Sequence, residues 1–239
     1  MSHKKDLRKQ RVGTVINFTS KQQEKALSRA LFSVCQQLHD KFPGITLRHQ
    51  PEWLVSSVIA NLKSVFSDVD FHHFHNNSSM RPDGGILSIV SSDGKPHPIL
   101  IAEKKNQGTN DLRALEGKSK QAKGNAIERL GKNVIGFRAA LLSESIFPFI
   151  CFGDGCDFAD DSSILDRVVT IAMFGRLNIV HLHNQGPNGV FNRGTFYFRV
   201  KEWTEPEMVI PCVSIAIKSI HYYFSKYGER LFLPYQRET

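Results

Sequence analysis

Apolar residues recur every three or four positions in some stretches of the chain and every second position in others. Leu27, Leu31, Val34 and Leu38 share one face of a helix predicted over 21–41. Ser20 is placed as its N-cap, with Gln23 completing a capping box, and Phe42-Pro43-Gly44 ends it. A second helix is predicted from about Pro51, with Leu54, Val58, Leu62 and Val65 on one side. Residues 71–85 mix His, Asn, Ser, Pro and Gly and read as loop or edge strand. Gly85–Val90 and Pro98–Glu103 read as strands joined by a turn at Ser92-Asp93-Gly94.

The stretch 104–124 is polar and has no apolar period. From Ala126 a helix is predicted, with Ile127, Leu130, Val134, Phe137 and Leu141 facing inward and Asn125 as its cap. Phe147–Phe152 reads as a buried strand, and Asp161 to Phe174 has helical spacing. Ile179–His183 and Val190–Val200 read as strands around the turn Gly186-Pro187-Asn188-Gly189. The stretch from Glu207 to Lys226 reads as a helix that Pro211 must start or kink. Helices and strands are intermixed, which predicts one α/β domain over 1–239 with a mixed sheet.

Composition supports a folded enzyme-sized domain. The 239 residues are 41% hydrophobic and 23% charged, enough for a core and too apolar for wholesale disorder. No run approaches the roughly 18 apolar residues that a membrane span needs, and no apolar segment follows the basic N-terminus as in a secretory signal. Four cysteines make no disulfide framework and suit a reducing cytoplasm. His72, His73 and His75, and Cys151 with Cys156, lack the spacing of a zinc finger.

Charge placement narrows the partner. Of the net +8, Met1–Arg11 carries five basic residues against one acidic, and Arg113–Arg138 carries seven against two. The rest of the chain is nearly neutral. Positive charge concentrated this way is the footprint of a polyanion, although a solvated helix face and a basic tail would also produce it. Residues 1–12 are expected to form a flexible basic arm.

The chemistry points to Asp83 and to Glu103-Lys104-Lys105, with nineteen residues between Asp83 and Glu103. If Ser92-Asp93-Gly94 is a three-residue loop, the hairpin centres on residue 93 and sets Asp83 opposite Glu103. Strand alternation then puts Lys105 on their face and Lys104 on the other. A two-residue turn would pair Asp83 with Lys104 instead. Two carboxylates and an amine at one strand end suit metal-assisted phosphodiester hydrolysis, because Mg²⁺ takes hard oxygen ligands and keeps several waters. A second segment, Gly124-Asn125-Ala126-Ile127-Glu128-Arg129, opens a helix directly after the basic run. A helix N-terminus favours anions, Asn pairs bidentately with adenine, and Arg pairs with guanine or phosphate.

Together these segments resemble the EcoRI-type type II restriction endonucleases. Asn77–Gly85 is similar to the family's first catalytic segment and Ala102–Gly108 to its second. Gly124–Arg129, Lys132-Asn133 and Leu142-Ser143-Glu144-Ser145 with Phe147-Pro148 continue the match in order, and Ile164-Leu165-Asp166-Arg167 matches more loosely. The resemblance implies a PD-(D/E)xK fold, a five-stranded mixed sheet flanked by helices. It implies a Mg²⁺-dependent homodimer, in which Mn²⁺ can substitute, that cuts both strands of a palindromic site in double-stranded DNA. The implied site has an AATT core, as in GAATTC, and cleavage leaves 5′ overhangs.

By the same match Asp83 and Glu103 would hold the metal and Lys105 would complete the catalytic set. Gly124, Asn125, Ala126 and Arg129 would read bases, supported by Gln107, Lys123 and Glu128, with Arg167 at a recognition or phosphate-contacting position. Such an enzyme is cytoplasmic, needs no membrane, and works beside a methyltransferase that modifies the same site.

The chain departs from the family's pattern at Lys104, where relatives carry a small residue, at Thr109, where they carry a basic one, and at Gln121-Ala122-Lys123, where they are more apolar. Lys104 is expected to point away from the metal. The last departure leaves the outer base pair less closely specified than AATT. Two other readings stand beside this one: a repair or recombination nuclease with the same metal core, and a DNA-binding protein without catalysis.

Overall fold

The computed structural model describes residues 15–106, 113–119, 125–159, 162, 164–172 and 176–233, with backbone alone at 15–20 and 125–126. Helix α1 (Val15–Lys41) leads into β1 (Thr46–Gln50), a two-residue β2 (Trp53–Leu54) and α2 (Val55–Val65). Next come β3 (Ser79–Met80), β4 (Gly85–Val90) and β5 (Pro96–Asn106). Helix α3 (Asn125–Ala140), β6 (Phe149–Asp154), α4 (Ile164–Ile171), β7 (Thr195–Arg199) and α5 (Glu205–Tyr227) complete it.

Five strands form one mixed sheet in the order β1-β4-β5-β6-β7. The first three pair antiparallel, whereas β5, β6 and β7 run parallel. A parallel strand can follow β5 only through a crossover, and α3 supplies it. Alternation along β5 divides the core. Leu100 and Ala102 pack with Leu27, Leu31 and Val34 of α1 and with Cys212 and Ile215 of α5. Ile101 packs on the other face with Ile127, Leu130, Val134 and Phe137 of α3 and Val168 of α4. This is the fold class that the resemblance implies, an α/β sheet flanked by helices.

Several boundaries moved for identifiable reasons. Helix α1 begins at Val15, so Ser20 lies inside it. A cap is worth only about 1 kcal/mol, and residues 15–20 contain no glycine or proline to break a helix. Trp53-Leu54 pairs with Ser79-Met80 and so delays α2 to Val55. Asn125 is the first residue of α3 and not its cap. Residues 179–183 form no strand, apart from a single bridge between Ile146 and His183. There the side chains of Asn178 and Thr195 take up bonds that a ladder would use: Thr195 Oγ1 accepts from the His181 N–H, and Asn178 Oδ1 from the Phe198 N–H. The expected strand Val190–Val200 shortens to Thr195–Arg199, preceded by a 3₁₀ turn at Gly189–Phe191.

Helix α5 starts where the Glu207 carboxylate accepts hydrogen bonds from both the backbone N–H and the hydroxyl of Thr204, and it runs through Pro211. By length and mean hydropathy it is the one helix among the described residues apolar enough for a membrane span, which no apolar run in the sequence had suggested. Half of that window is buried inside the protein, against α1 and β5.

Candidate active site

The hairpin near its turn has the register expected from a three-residue loop, with Ile89 opposite His97 and Val90 opposite Pro96. Between Leu87 and Ser88 a bulge shifts it, so that Gly85 faces Ala102. Continued, this register would set Asp83 opposite Lys104, the arrangement expected to scatter the cluster. The cluster forms nevertheless, because the ladder ends at Gly85 and the chain turns there.

Gly85 has φ +76°, and its N–H donates to the Pro82 carbonyl. Gly84 donates to the Ala102 carbonyl and accepts from His49 Nε2 (2.8 Å). A Cβ on Gly84 would lie 2.9 Å from Leu27 and Leu31. The turn is therefore wedged against α1 and β1, and Asp83 hangs over the end of β5.

Asp83 Oδ2 accepts from the Lys104 N–H (3.2 Å) and from Lys105 Nζ (3.0 Å). The Asp83 N–H donates to Glu103 Oε2 (3.1 Å), and Lys105 Nζ also pairs with Glu103 Oε1. The Glu103 side chain is 1% exposed, Lys105 17% and Asp83 30%, so the cluster opens to solvent on the Asp83 side. Burial raises the Glu103 carboxyl above the usual carboxylate range, against the pull of the Lys105 ammonium. Burial would lower Lys105, but the charges of Glu103 and Asp83 outweigh it and hold its pKa above the ordinary lysine value. Lys105 therefore keeps its proton at neutral pH.

One further residue joins the cluster. Asn133, from the middle of α3, donates its Nδ2–H to Glu103 Oε1 (3.0 Å). In the sequence it stood out only as part of the Lys132-Asn133 match. Its place beside Val134 on the inward stripe was the available signal that it reaches the sheet.

The donor set suits a hard divalent cation. Two carboxylates converge at a strand end, and among the described residues no third His, Cys, Asp or Glu completes a cage. That fits an ion which keeps most of its water.

A family model described as "Restriction endonuclease EcoRI" matches residues 9–167. The chain belongs to the EcoRI restriction endonuclease family. It is at this level a type II restriction endonuclease, a class that acts on double-stranded DNA and generally uses divalent metal ions. The chain is 28% identical over 225 residues to the "Type II restriction enzyme RsrI" of Cereibacter sphaeroides, covering 78% of this chain and 79% of that one. It is 30% identical over 142 residues to the "Type II restriction enzyme EcoRI" of Escherichia coli, covering 56% of this chain and 51% of that one.

Helix α3 carries the segment matched to the family's reading residues. Asn133 touches Glu103 near the end of β5, whereas Ala140 and Leu141 line a pocket with Pro96, His97 and Pro98 at its beginning. The helix thus runs antiparallel to β5, and its N-terminus lies at the Asp83 end of the sheet. Asn125 is about 12 Å beyond Asn133 along the axis, at 1.5 Å per residue. Glu128 and Arg129 are exposed next to the buried Ile127 and Leu130. Arg167 Nη1 of α4 lies 3.9 Å from Glu128 Oε1 with both side chains more than half exposed, so the contact adds little stability. Gln107, Lys123 and Gly124 lie outside the described residues, as do the side chains of Asn125 and Ala126 and the basic arm at 1–12.

Proposed function

We propose that this enzyme cleaves both strands of a palindromic DNA site with an AATT core, as in GAATTC, in a Mg²⁺-dependent reaction that leaves 5′ overhangs. The reading rests on one observation above all: Asp83, Glu103 and Lys105 converge at the end of β5 to which α3 points its N-terminus. In this reading Asp83 and Glu103 hold the ion, and Mn²⁺ can replace it. The bound ion supplies Lewis acidity and charge neutralisation at the scissile phosphate.

The protein's own groups do the remaining work. Lys105 acts as a cation and hydrogen-bond donor: it orients the attacking water or steadies the developing hydroxide. Asn133 holds one Glu103 oxygen, and the Asp83 N–H holds the other. Gly124, Asn125, Ala126 and Arg129 read the AATT bases in the major groove from the start of α3, with Gln107, Lys123 and Glu128 in support and Arg167 as a phosphate or base contact. The enzyme is a single domain that acts in the cytoplasm as a homodimer, since a two-fold site calls for a two-fold protein. The arm at 1–12 adds phosphate contacts. A methyltransferase protects the host's copies of the site.

The test is direct. Pure protein, plasmid DNA and Mg²⁺ should give discrete fragments whose sequenced ends carry AATT overhangs. Asp83→Ala and Glu103→Ala should lose cleavage but keep specific binding. Structure-dependent nicking, or binding without cleavage in Mg²⁺ and Mn²⁺, would overturn the proposal.

A further inference from the structure

Among the described residues, the last four of β5, 103–106, have a partner strand on one side only. Strand β4 begins at Gly85, opposite Ala102, so among the described strands Glu103, Lys104, Lys105 and Asn106 pair with β6 alone. Two members of the proposed catalytic set thus sit on a strand end without a second neighbour. What holds that end lies on the opposite face of the sheet. Lys104 Nζ is 3.2 Å from Asp154 Oδ2, and the two side chains are 3% and 2% exposed. Asp154 is the last residue of β6, opposite Asn106.

Asp154 gathers donors from four directions. Its Oδ1 accepts from Gln23 Nε2 of α1 (3.1 Å) and from Asn106 Nδ2 (3.1 Å). Its Oδ2 accepts weakly from the Trp203 N–H, just before α5 (3.4 Å), and faces the Lys104 ammonium. Asn106 also donates to Gln23 Oε1 (3.3 Å). The Lys104 ammonium itself makes no well-aligned hydrogen bond, so the Asp154 charge is what compensates its burial. A buried ammonium with one counter-ion is an expensive way to fill space, and an apolar residue would pack there at lower cost.

We propose that Lys104 and Asp154 are positioning residues for the cleavage reaction. The pair clamps the free end of β5 to β6, α1 and the start of α5. Clamped there, the Lys104 N–H and the Lys105 ammonium reach Asp83 Oδ2, while Glu103 Oε2 accepts from the Asp83 N–H. The side chain of Lys104 works on one face of the sheet, while its peptide N–H points sideways in the plane of the sheet, past the end of β4, to Asp83. The inference rests on Asp83, Glu103 and Lys105 being the cleavage site.

The experiment uses the full chain with Lys104→Met, which removes the charge and keeps the apolar stem. Its single-turnover cleavage, measured well below the melting temperature with saturating Mg²⁺, should fall about 10- to 100-fold, the scale of a small misplacement of reacting groups. Its affinity for site DNA without added metal should be unchanged. In the DNA-free protein the rise in melting temperature caused by Mn²⁺ should shrink. A merely structural role would lower the melting temperature but leave that rise and the cleavage rate alone. Wild-type cleavage and a wild-type Mn²⁺ response in Lys104→Met overturn the inference. Should that variant fail to fold, Asn106→Ala keeps both charges and removes one Asp154 donor. It should show a smaller loss of rate, and wild-type cleavage by it would overturn the inference. Glu103→Ala is the control: if it still cleaves, the site assignment falls and this inference with it.

Discussion

The turn that carries Asp83 depends on Gly85, and Gly85→Ala tests that dependence. The residue has φ +76°, where an L side chain costs about 1–2 kcal/mol. The new Cβ would also lie 2.5 Å from His49 Nε2 and 2.7 Å from the Gln50 carbonyl oxygen. The carbonyl belongs to β1, whose Gln50 pairs with Ile86, so it cannot retreat without disturbing the ladder. The imidazole cannot swing away without releasing the Gly84 carbonyl. Overpacking of this kind adds about 1–3 kcal/mol. Gly85→Ala should therefore cost about 2–5 kcal/mol, the sum of the two effects.

Gly94 provides the comparison. It has φ +83° at the far end of the same hairpin, and a Cβ there meets nothing within 4 Å. Gly94→Ala should cost only the backbone strain, about 1–2 kcal/mol. Urea unfolding of both variants, checked for an unchanged slope, measures the difference. Cleavage of plasmid DNA should be lost in Gly85→Ala and retained in Gly94→Ala. Equal destabilisation by the two, or wild-type cleavage by Gly85→Ala, would refute the account of how Asp83 is held.

Asn125→Ala should lose about 1–3 kcal/mol of discrimination for each base contact removed, measured as relative cleavage of sites with one altered AATT base. Unchanged specificity would show that the reader lies elsewhere. Burial lowers the pKa of His97, which is packed among Tyr223, Tyr227 and Phe232, and the Lys95 charge adds to this effect. The folded state then binds fewer protons than the unfolded one as pH falls below about 6.5, the ordinary imidazole value, so stability should drop through that window. His97→Gln should flatten the drop between urea midpoints at pH 7.5 and 5.5, and a drop as steep as in the unaltered protein would refute the assignment. Deletion of residues 1–12 should reduce the steepness with which DNA affinity falls with salt, without changing the bases at the cut ends. An unaltered salt slope would exclude the arm from phosphate contact.

Elements with a long, clean period were legible from the chain. Ile127, Leu130, Val134 and Phe137 are buried on α3 as their spacing requires, with Leu141 buried just past its end, and Leu27, Leu31, Val34 and Leu38 are buried on α1. The grouping of Asp83, Glu103 and Lys105 was also legible, but for a reason only half correct. The loop at residue 93 set the register near the turn, and a bulge of one residue then undid it. A bulge leaves no mark in period-two patterning when both strands are buried on both faces, as Ile86–Ile89 and Ile99–Ala102 are. The geometry was recovered by the turn at Gly84-Gly85, whose neighbours His49 and Leu27 are distant in sequence. The contacts of Asn133, Asp154 and Gln23 were hidden for the same cause, although Asn133 stood in the family match and Gln23 in the expected capping box. Single polar residues in apolar stretches show their partners only when the sheet and helices bring them together.

Helix α3 sets a condition on anyone who would redesign this enzyme. A single rigid rod bears the proposed base-reading residues at its first turn and, two turns on, the amide that holds Glu103. Its rotational phase is locked by Ile127, Leu130, Val134 and Phe137 against the sheet. New specificity cannot be grafted by inserting or deleting a residue between 125 and 133. A one-residue change turns the rod by about 100° and swings Asn133 away from the carboxylate. Substitutions that keep the length and the apolar stripe leave the two ends in register. Variation in what is read should therefore come by exchange of side chains at 123–129, and length changes should be confined to the loop before the helix.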